Sequence, residues 1–162
     1  MSDRSSSTPL QRARLELERQ LGQEVHLSDW IEISQARIDE FAAVTGDRQW
    51  IHTDPERAAR ESPWRSTVAH GYLTLALYPV LRGIGDGSVA HVTGVRTIVN
   101  TGINRLRFVN PVRAGARIRG RSRLIAVEKL LGCLQVTEEF TVEIEGERKP
   151  ACIAEVLARL FF

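Results

Sequence analysis

The chain has 162 residues, of which 43% are hydrophobic and 26% charged, with a formal net charge of +2. That length closes one substantial core and that balance excludes wholesale disorder. The near-neutral charge implies no nucleic-acid partner. No apolar run reaches the roughly 18 residues of a membrane span, and the N-terminal MSDRSSSTP lacks the apolar segment of a secretory signal. The expectation is a cytoplasmic protein with no membrane partner. Cys133 and Cys152 form no CxxC and have no flanking histidine, so they read as buried reduced thiols and no metal is expected.

In chain order, residues 1–8 are expected to be a disordered N-terminus, 9–22 a peripheral helix and 23–162 a single domain. Thr8, Pro9 and Gln11 have the form of a capping box with proline at the first helical position. Leu10, Ala13, Leu17 and Leu21 make one narrow apolar stripe, and Gly22 supplies the stop. Residues 25–33 contain alternating apolar positions suited to a first strand. Ser34 caps a second helix with Ile38, Phe41 and Ala42 on one face, and Gly46 ends it in a left-handed conformation. Asp47 therefore emerges just past a helix end. Asp54 and Pro55 open a short helix through Glu61, which leaves His52 in an irregular link.

From Gly71 to Leu81 the sequence GYLTLALYPVL is apolar on every side. A helix of that kind is buried all round, and Pro79 should end or kink it one turn before its nominal end. After a Gly-rich turn, residues 95–109, 116–128, 132–145 and 149–161 read as four long antiparallel strands. Leu106 and Phe108 alternate there with Arg105 and Arg107. A curved sheet wrapped around one buried apolar helix solves this burial problem, giving an α+β hot-dog fold.

The segment from Phe41 to Ala58, FAAVTGDRQWIHTDPERA, is followed by TVAHGYLTL from Thr67 and NTGINRLRFVNPV from Asn100. Together these resemble the MaoC-like dehydratase and R-specific enoyl-CoA hydratase family. Within it they are similar to the subgroup of nodulation protein N-like proteins and mycobacterial 3-hydroxyacyl-thioester dehydratases. The likeness covers roughly residues 29 to 160. Where that family has Asn-Pro between its aspartate and histidine, this chain has Gln49 and Trp50. The departure bears on the pocket wall and the preferred acyl chain.

The resemblance implies reversible hydration of a trans-2-enoyl-CoA to an (R)-3-hydroxyacyl-CoA. It assigns water activation to Asp47 and His52 and the oxyanion to the Gly71 backbone N–H. A carboxylate and an imidazole converging on one water supply a base and a proton shuttle. The unpaired N–H groups at a helix start favour developing negative charge. Taken alone, an aspartate after a helix is commonly a solvated turn residue and a loop histidine is commonly structural. The combination with an Ala-His-Gly entry to an all-apolar helix is what marks a site.

His70 is a candidate second polar, substrate-binding group in the site, with holding the loop by hydrogen bonding as the favoured reading. Further substrate-binding candidates are Gln49, Trp50, Asn100 and Asn104, with Trp50 preferred over Trp64 because it lies inside the loop. Arg105, Arg107, Arg113 and Arg121 read mainly as a charged solvent face, with coenzyme A phosphates as the alternative. His26 and His91 read as surface residues. No cofactor is expected, coenzyme A being part of the substrate, and the family resemblance implies a homodimer. The alternatives are a hot-dog acyl-CoA thioesterase and a non-catalytic acyl-CoA-binding or accessory protein. The first is weakened because Gly71 to Leu81 carries no Asp or Glu.

Overall fold

The computed structural model describes residues 7–85 and 92–162. Residues 1–6, the second half of the Gly-rich turn and His91 lie outside the described residues. Thr8 caps α1 (Pro9–Glu18) with both bonds of the capping box formed. The helix buries Ala13 and Leu17 against Leu124, Leu134, Val136 and Leu160.

The expected first strand is two short pieces, β1 (Glu24–Leu27) and β2 (Ile31–Glu32), and both pair with β4 (Arg117–Leu130). Then come α2 (Gln35–Thr45), a single turn α3 (Trp50–Thr53) and α4 (Pro55–Glu61). His52 thus sits in a helical turn and not in an irregular link. The long strands β3 (Thr97–Phe108), β4, β5 (Cys133–Ile144) and β6 (Cys152–Phe161) form one antiparallel sheet, in the order β1-β4-β5-β6-β3.

Strand β5 shows how the sheet sorts its residues. Leu134, Val136, Phe140, Val142 and Ile144 are buried on one face, as a period of two requires. On the opposite face, Arg117, Arg119 and Arg123 of β4 pair with Glu145, Glu143 and Glu139 at 3.0, 2.6 and 2.9 Å. Arg121 pairs with Glu143 and Glu24. The arginine-rich stretch is therefore a cross-strand ladder of exposed and half-exposed ion pairs, each worth little to stability. Cys133 and Cys152 are free and buried, and burial pushes the Cys152 thiol up to about 11.

The apolar segment forms two consecutive helices, α5 (Gly71–Ala76) and α6 (Tyr78–Leu81). Pro79 has no N–H to give the Leu75 carbonyl, which interrupts the ladder near Leu77. Beyond the break the chain resumes helical hydrogen bonding. Leu77 remains right-handed helical, and the Leu81 and Arg82 N–H groups reach the Leu77 and Tyr78 carbonyls at 2.9 and 2.8 Å.

Leu73, Tyr78 and Leu81 bury against the inner face of the sheet with Phe140, Val142 and Ala154. The expectation of burial all round does not hold within one chain. Tyr72 is 68% and Val80 54% exposed, and Ala76 between them is exposed as well. At spacings of four, these residues lie on one helix face.

Candidate active site

The site begins where α2 ends. Gly46 takes φ +80° and gives its N–H to Ala42 O, a left-handed stop that residues with a Cβ adopt at a cost. The chain then turns so that Asp47 leaves the helix with its carboxylate 43% exposed. Asp47 Oδ1 accepts from Gln49 Nε2 at 3.0 Å. That bond is the main cause holding the carboxyl pKa below its ordinary value, and the nearby histidines add to it.

His52, on the α3 turn, is only 7% exposed. Gln35 Nε2 donates to its carbonyl at 2.7 Å and so ties α3 to α2. The imidazole Nδ1 lies 2.6 Å from Val68 O. A carbonyl oxygen only accepts, so Nδ1 carries the proton and Nε2 of the neutral ring is left with a lone pair. Burial lowers the His52 pKa, outweighing the Val68 bond that favours the charged form. The structure thus sets His52 up as a neutral imidazole of fixed tautomer.

His70 lies beneath both groups. Its Nε2 donates to the Asp47 backbone oxygen at 2.9 Å, and its ring stacks on His52 with centroids 3.8 Å apart and planes at 25°. By the same logic its Nδ1 bears the lone pair. That atom is buried and has no hydrogen-bond partner among the described residues. The His70 ring beside His52 adds to the lowering of the His52 pKa. His70 thus holds the Asp47 backbone, the loop-holding role expected of it.

Donor atoms of Asp47, His52 and His70 all fall within 4.8 Å of one another. That separation suits one water accepted and donated from two sides, since each hydrogen bond spans roughly 2.8 Å. The three residues are also the set that could present ligands to a metal. Two of their imidazole nitrogens, however, are already committed to carbonyl oxygens.

Gly71 is the first residue of α5, where the backbone N–H has no partner within the helix. A Cβ built there would lie 2.9 Å from the Phe108 ring. Glycine is thus required for the β3 end to close over the helix start. Gly71 and His52 line one pocket of about 280 Å³ together with Trp64, Thr74, Phe108 and Val109. Its wall is mostly apolar, with His52, Thr74 and Asn110 as its polar side chains.

The remaining candidates divide. Gln49 does not line this pocket but holds the Asp47 carboxylate. Trp50 faces away from it, with the Arg57 guanidinium 4.4 Å over its ring. Trp64 is the tryptophan in the pocket wall, because the turn after α4 folds back towards Val68. Asn100 and Asn104 are exposed on β3, opposite Ala158 and Glu155 of β6, and lie outside the pocket. Arg105 is exposed with Glu155 3.6 Å away, and its φ of +50° falls where β3 bulges. His26 is half-buried on β1, not a surface residue. Phe108 and Gln35 were not singled out in the sequence. The Phe108 contact with Gly71 crosses 37 positions, and no local pattern announces it.

Residues 16–145 match the MaoC like domain. The chain is 48% identical over 139 residues to 3-hydroxyacyl-thioester dehydratase Z of Mycobacterium tuberculosis, covering 85% of this chain and 89% of that protein. It is 42% identical over 143 residues to nodulation protein N of Rhizobium leguminosarum, covering 88% and 87% respectively. Among solved structures, the unliganded R-hydratase PhaJ1 of Pseudomonas aeruginosa superposes with a TM-score of 0.67. It shares 26% identity over 87% of this chain and 81% of that one. With the family matched over most of its length and the hot-dog sheet in place, this chain belongs to the MaoC-like dehydratase family.

Proposed function

We propose that the protein is a hydro-lyase that reversibly adds water across a trans-2-enoyl-CoA to give the (R)-3-hydroxyacyl-CoA. The observation that carries this reading is the fixed tautomer of His52. Its Nδ1 is locked on Val68 O, so Nε2 remains as a base beside the ionised Asp47 carboxylate. A water held between them is polarised for attack at C3. Its oxygen bonds to C3 while one of its protons passes to the His52 and Asp47 pair, and the C2–C3 π electrons move towards the thioester oxygen. The pair then returns a proton to C2 as the carbonyl re-forms. The charge that develops on the thioester oxygen meets the Gly71 N–H at the start of α5. The names of the relatives support the class of reaction, and the R configuration rests on the hydratase likeness.

The exposed apolar surface supports a homodimer. Strand β3 is at one edge of the sheet and so has unpaired backbone groups. Val99, Ile103, Phe108 and Val109 are each more than 40% exposed there. Tyr72 of α5 meets Phe108 edge-on at 5.6 Å, so the helix face and the strand edge make one surface. A second copy related by a two-fold axis would cover both. Because Phe108 and Val109 also line the pocket, the partner would border the site. Sedimentation should give a dimer for the native chain and a monomer for Ile103→Lys.

The direct test follows the loss of enoyl absorbance when purified protein meets crotonyl-CoA and longer trans-2-enoyl-CoAs, with chiral analysis of the product. Hydration giving the R product is expected. Release of free thiol without hydration would select a thioesterase. Saturable acyl-CoA binding without turnover would select a binding protein.

A further inference from the structure

The far end of the central helices holds a second polar constellation, apart from the catalytic groups. Tyr78, Arg82 and Glu138 line a small pocket of about 40 Å³ whose other walls include Leu17, Val95 and Leu160. Glu138 lies on the inner face of β5 between Val136 and Phe140 and is 6% exposed, and Arg82 is 9% exposed. Arg82 Nε and Nη2 donate to the two Glu138 oxygens at 2.7 and 2.8 Å, and the Tyr78 hydroxyl donates to Oε2 at 3.2 Å. The carboxylate is thus well satisfied. The guanidinium is not, because its Nη1 is buried with no hydrogen-bond partner among the described residues. A buried donor left in that state is costly, so a ligand that completes it is favoured.

Position links this pocket to the first. Thr74 lines the catalytic pocket and Tyr78 the distal one. Thr74, Tyr78 and Arg82 follow one another at spacings of four on the buried helix face. At a rise of 1.5 Å per residue, Arg82 lies about 16 Å along the axis from Gly71. A chain attached to a thioester at Gly71 reaches Arg82 only by passing Thr74 and Tyr78, both buried on this face.

We propose that the Arg82–Glu138–Tyr78 pocket is a distal subsite for the acyl chain that recognises a neutral oxygen acceptor on that chain, such as a keto oxygen. This deepens, and rests on, the reading of the protein as an acyl-thioester enzyme. The chemistry of the pair selects the ligand class. Arg82 and Glu138 together are neutral, so a further carboxylate would bring an uncompensated charge into a buried site. A keto oxygen accepts from Nη1 without that penalty. A plain alkyl chain leaves Nη1 without a bond. Sites built to bond a polar group discriminate strongly against analogues that lack it.

The test uses the full chain and a fixed-length series of long trans-2-enoyl-CoAs in which a keto oxygen is moved one carbon at a time. Both kcat/KM for hydration and the dissociation constant are measured against the plain chain of equal length. At one position the oxygenated chain should be preferred by about tenfold or more in both quantities. In Arg82→Met/Glu138→Met that ratio should fall to near one. The paired replacement makes this end of the pocket apolar without stranding either charge. No oxygen preference at any position in the native chain overturns the subsite, and that comparison needs no variant. A preference that survives the paired replacement overturns the assignment to Arg82. Absence of hydration with an oxygen preference in binding would overturn the proposed reaction while supporting the subsite.

Discussion

The two polar clusters along the central helices differ in what their charges are left to do. In the Arg82–Glu138 pair, the carboxylate is bonded by two guanidinium nitrogens and a phenol and is nearly sealed from solvent. At the Asp47 and His52 end, Gln49 is the one side chain among the described residues that hydrogen-bonds the carboxylate, which is 43% exposed with His70 Nε2 4.0 Å away. The imidazoles there spend one nitrogen each on a backbone carbonyl. The first arrangement satisfies its charges internally and has one donor over. The second fixes geometry through the backbone and leaves its reactive atoms open. A group that must move a proton cannot already be saturated, and the proposed mechanism accordingly places the chemistry at the Asp47 and His52 end.

Several changes would break or sharpen that contrast. The largest effect is expected for Asp47→Asn/His52→Gln, which should lose hydration by about 10²- to 10⁴-fold. It should lose little beyond the worse of the two single variants, because groups acting on one water fail as a unit. Steady-state kinetics of the three variants check this. At the other cluster the effect should fall on stability. Arg82→Met alone strands a buried carboxylate and should cost about 3 to 5 kcal/mol in urea unfolding, whereas replacing both partners should cost far less.

Gly71→Ala should be intermediate. Its Cβ would meet the Phe108 ring at 2.9 Å, so the strand end or the helix start must shift. A loss of about tenfold or more in kcat is expected, with a smaller change in unfolding midpoint, if the Gly71 N–H serves the oxyanion. The mildest test is pH. His52 and Asp47 both have lowered pKa values in the folded chain. Activity that needs the neutral imidazole and the ionised carboxylate should therefore be fully present above the ordinary histidine value near 6.5. It should be lost only as pH falls through the lowered His52 value. The stability contribution has the same sign. An unfolded His52 takes up a proton near 6.5 while the folded one resists, so folding weakens as pH falls below that point.

The same contrast explains what could be read from the sequence. Thr8, Ser34, Gly46 and Asp54 mark helix ends through bonds made within three or four residues, and each does so in the fold. Asp47 and His52 share one short loop between such marks, so their proximity was legible. The four long strands were legible from alternation. The His52–His70 stack, the Phe108 cover over Gly71 and the Arg82–Glu138 pair were not. These partners lie 18, 37 and 56 positions apart, and only the folded sheet brings them together.

Trp50 was misplaced for a similar reason. Membership of the loop did not reveal that its ring turns towards Arg57, leaving Trp64 in the pocket. The apolar helix was recognised from its composition, but composition does not say what covers each face. Tyr72 and Val80 remain exposed until something packs on them.

The central claim is that Asp47 and His52 activate water for addition to an enoyl thioester bound beside Gly71. The most direct measurement pairs the hydration rate of crotonyl-CoA with acyl-CoA affinity in Asp47→Asn and in His52→Gln, each verified as folded. Each variant should lose about 10²- to 10⁴-fold in rate while affinity stays within a few-fold of native. Full hydration activity in both would contradict the assignment.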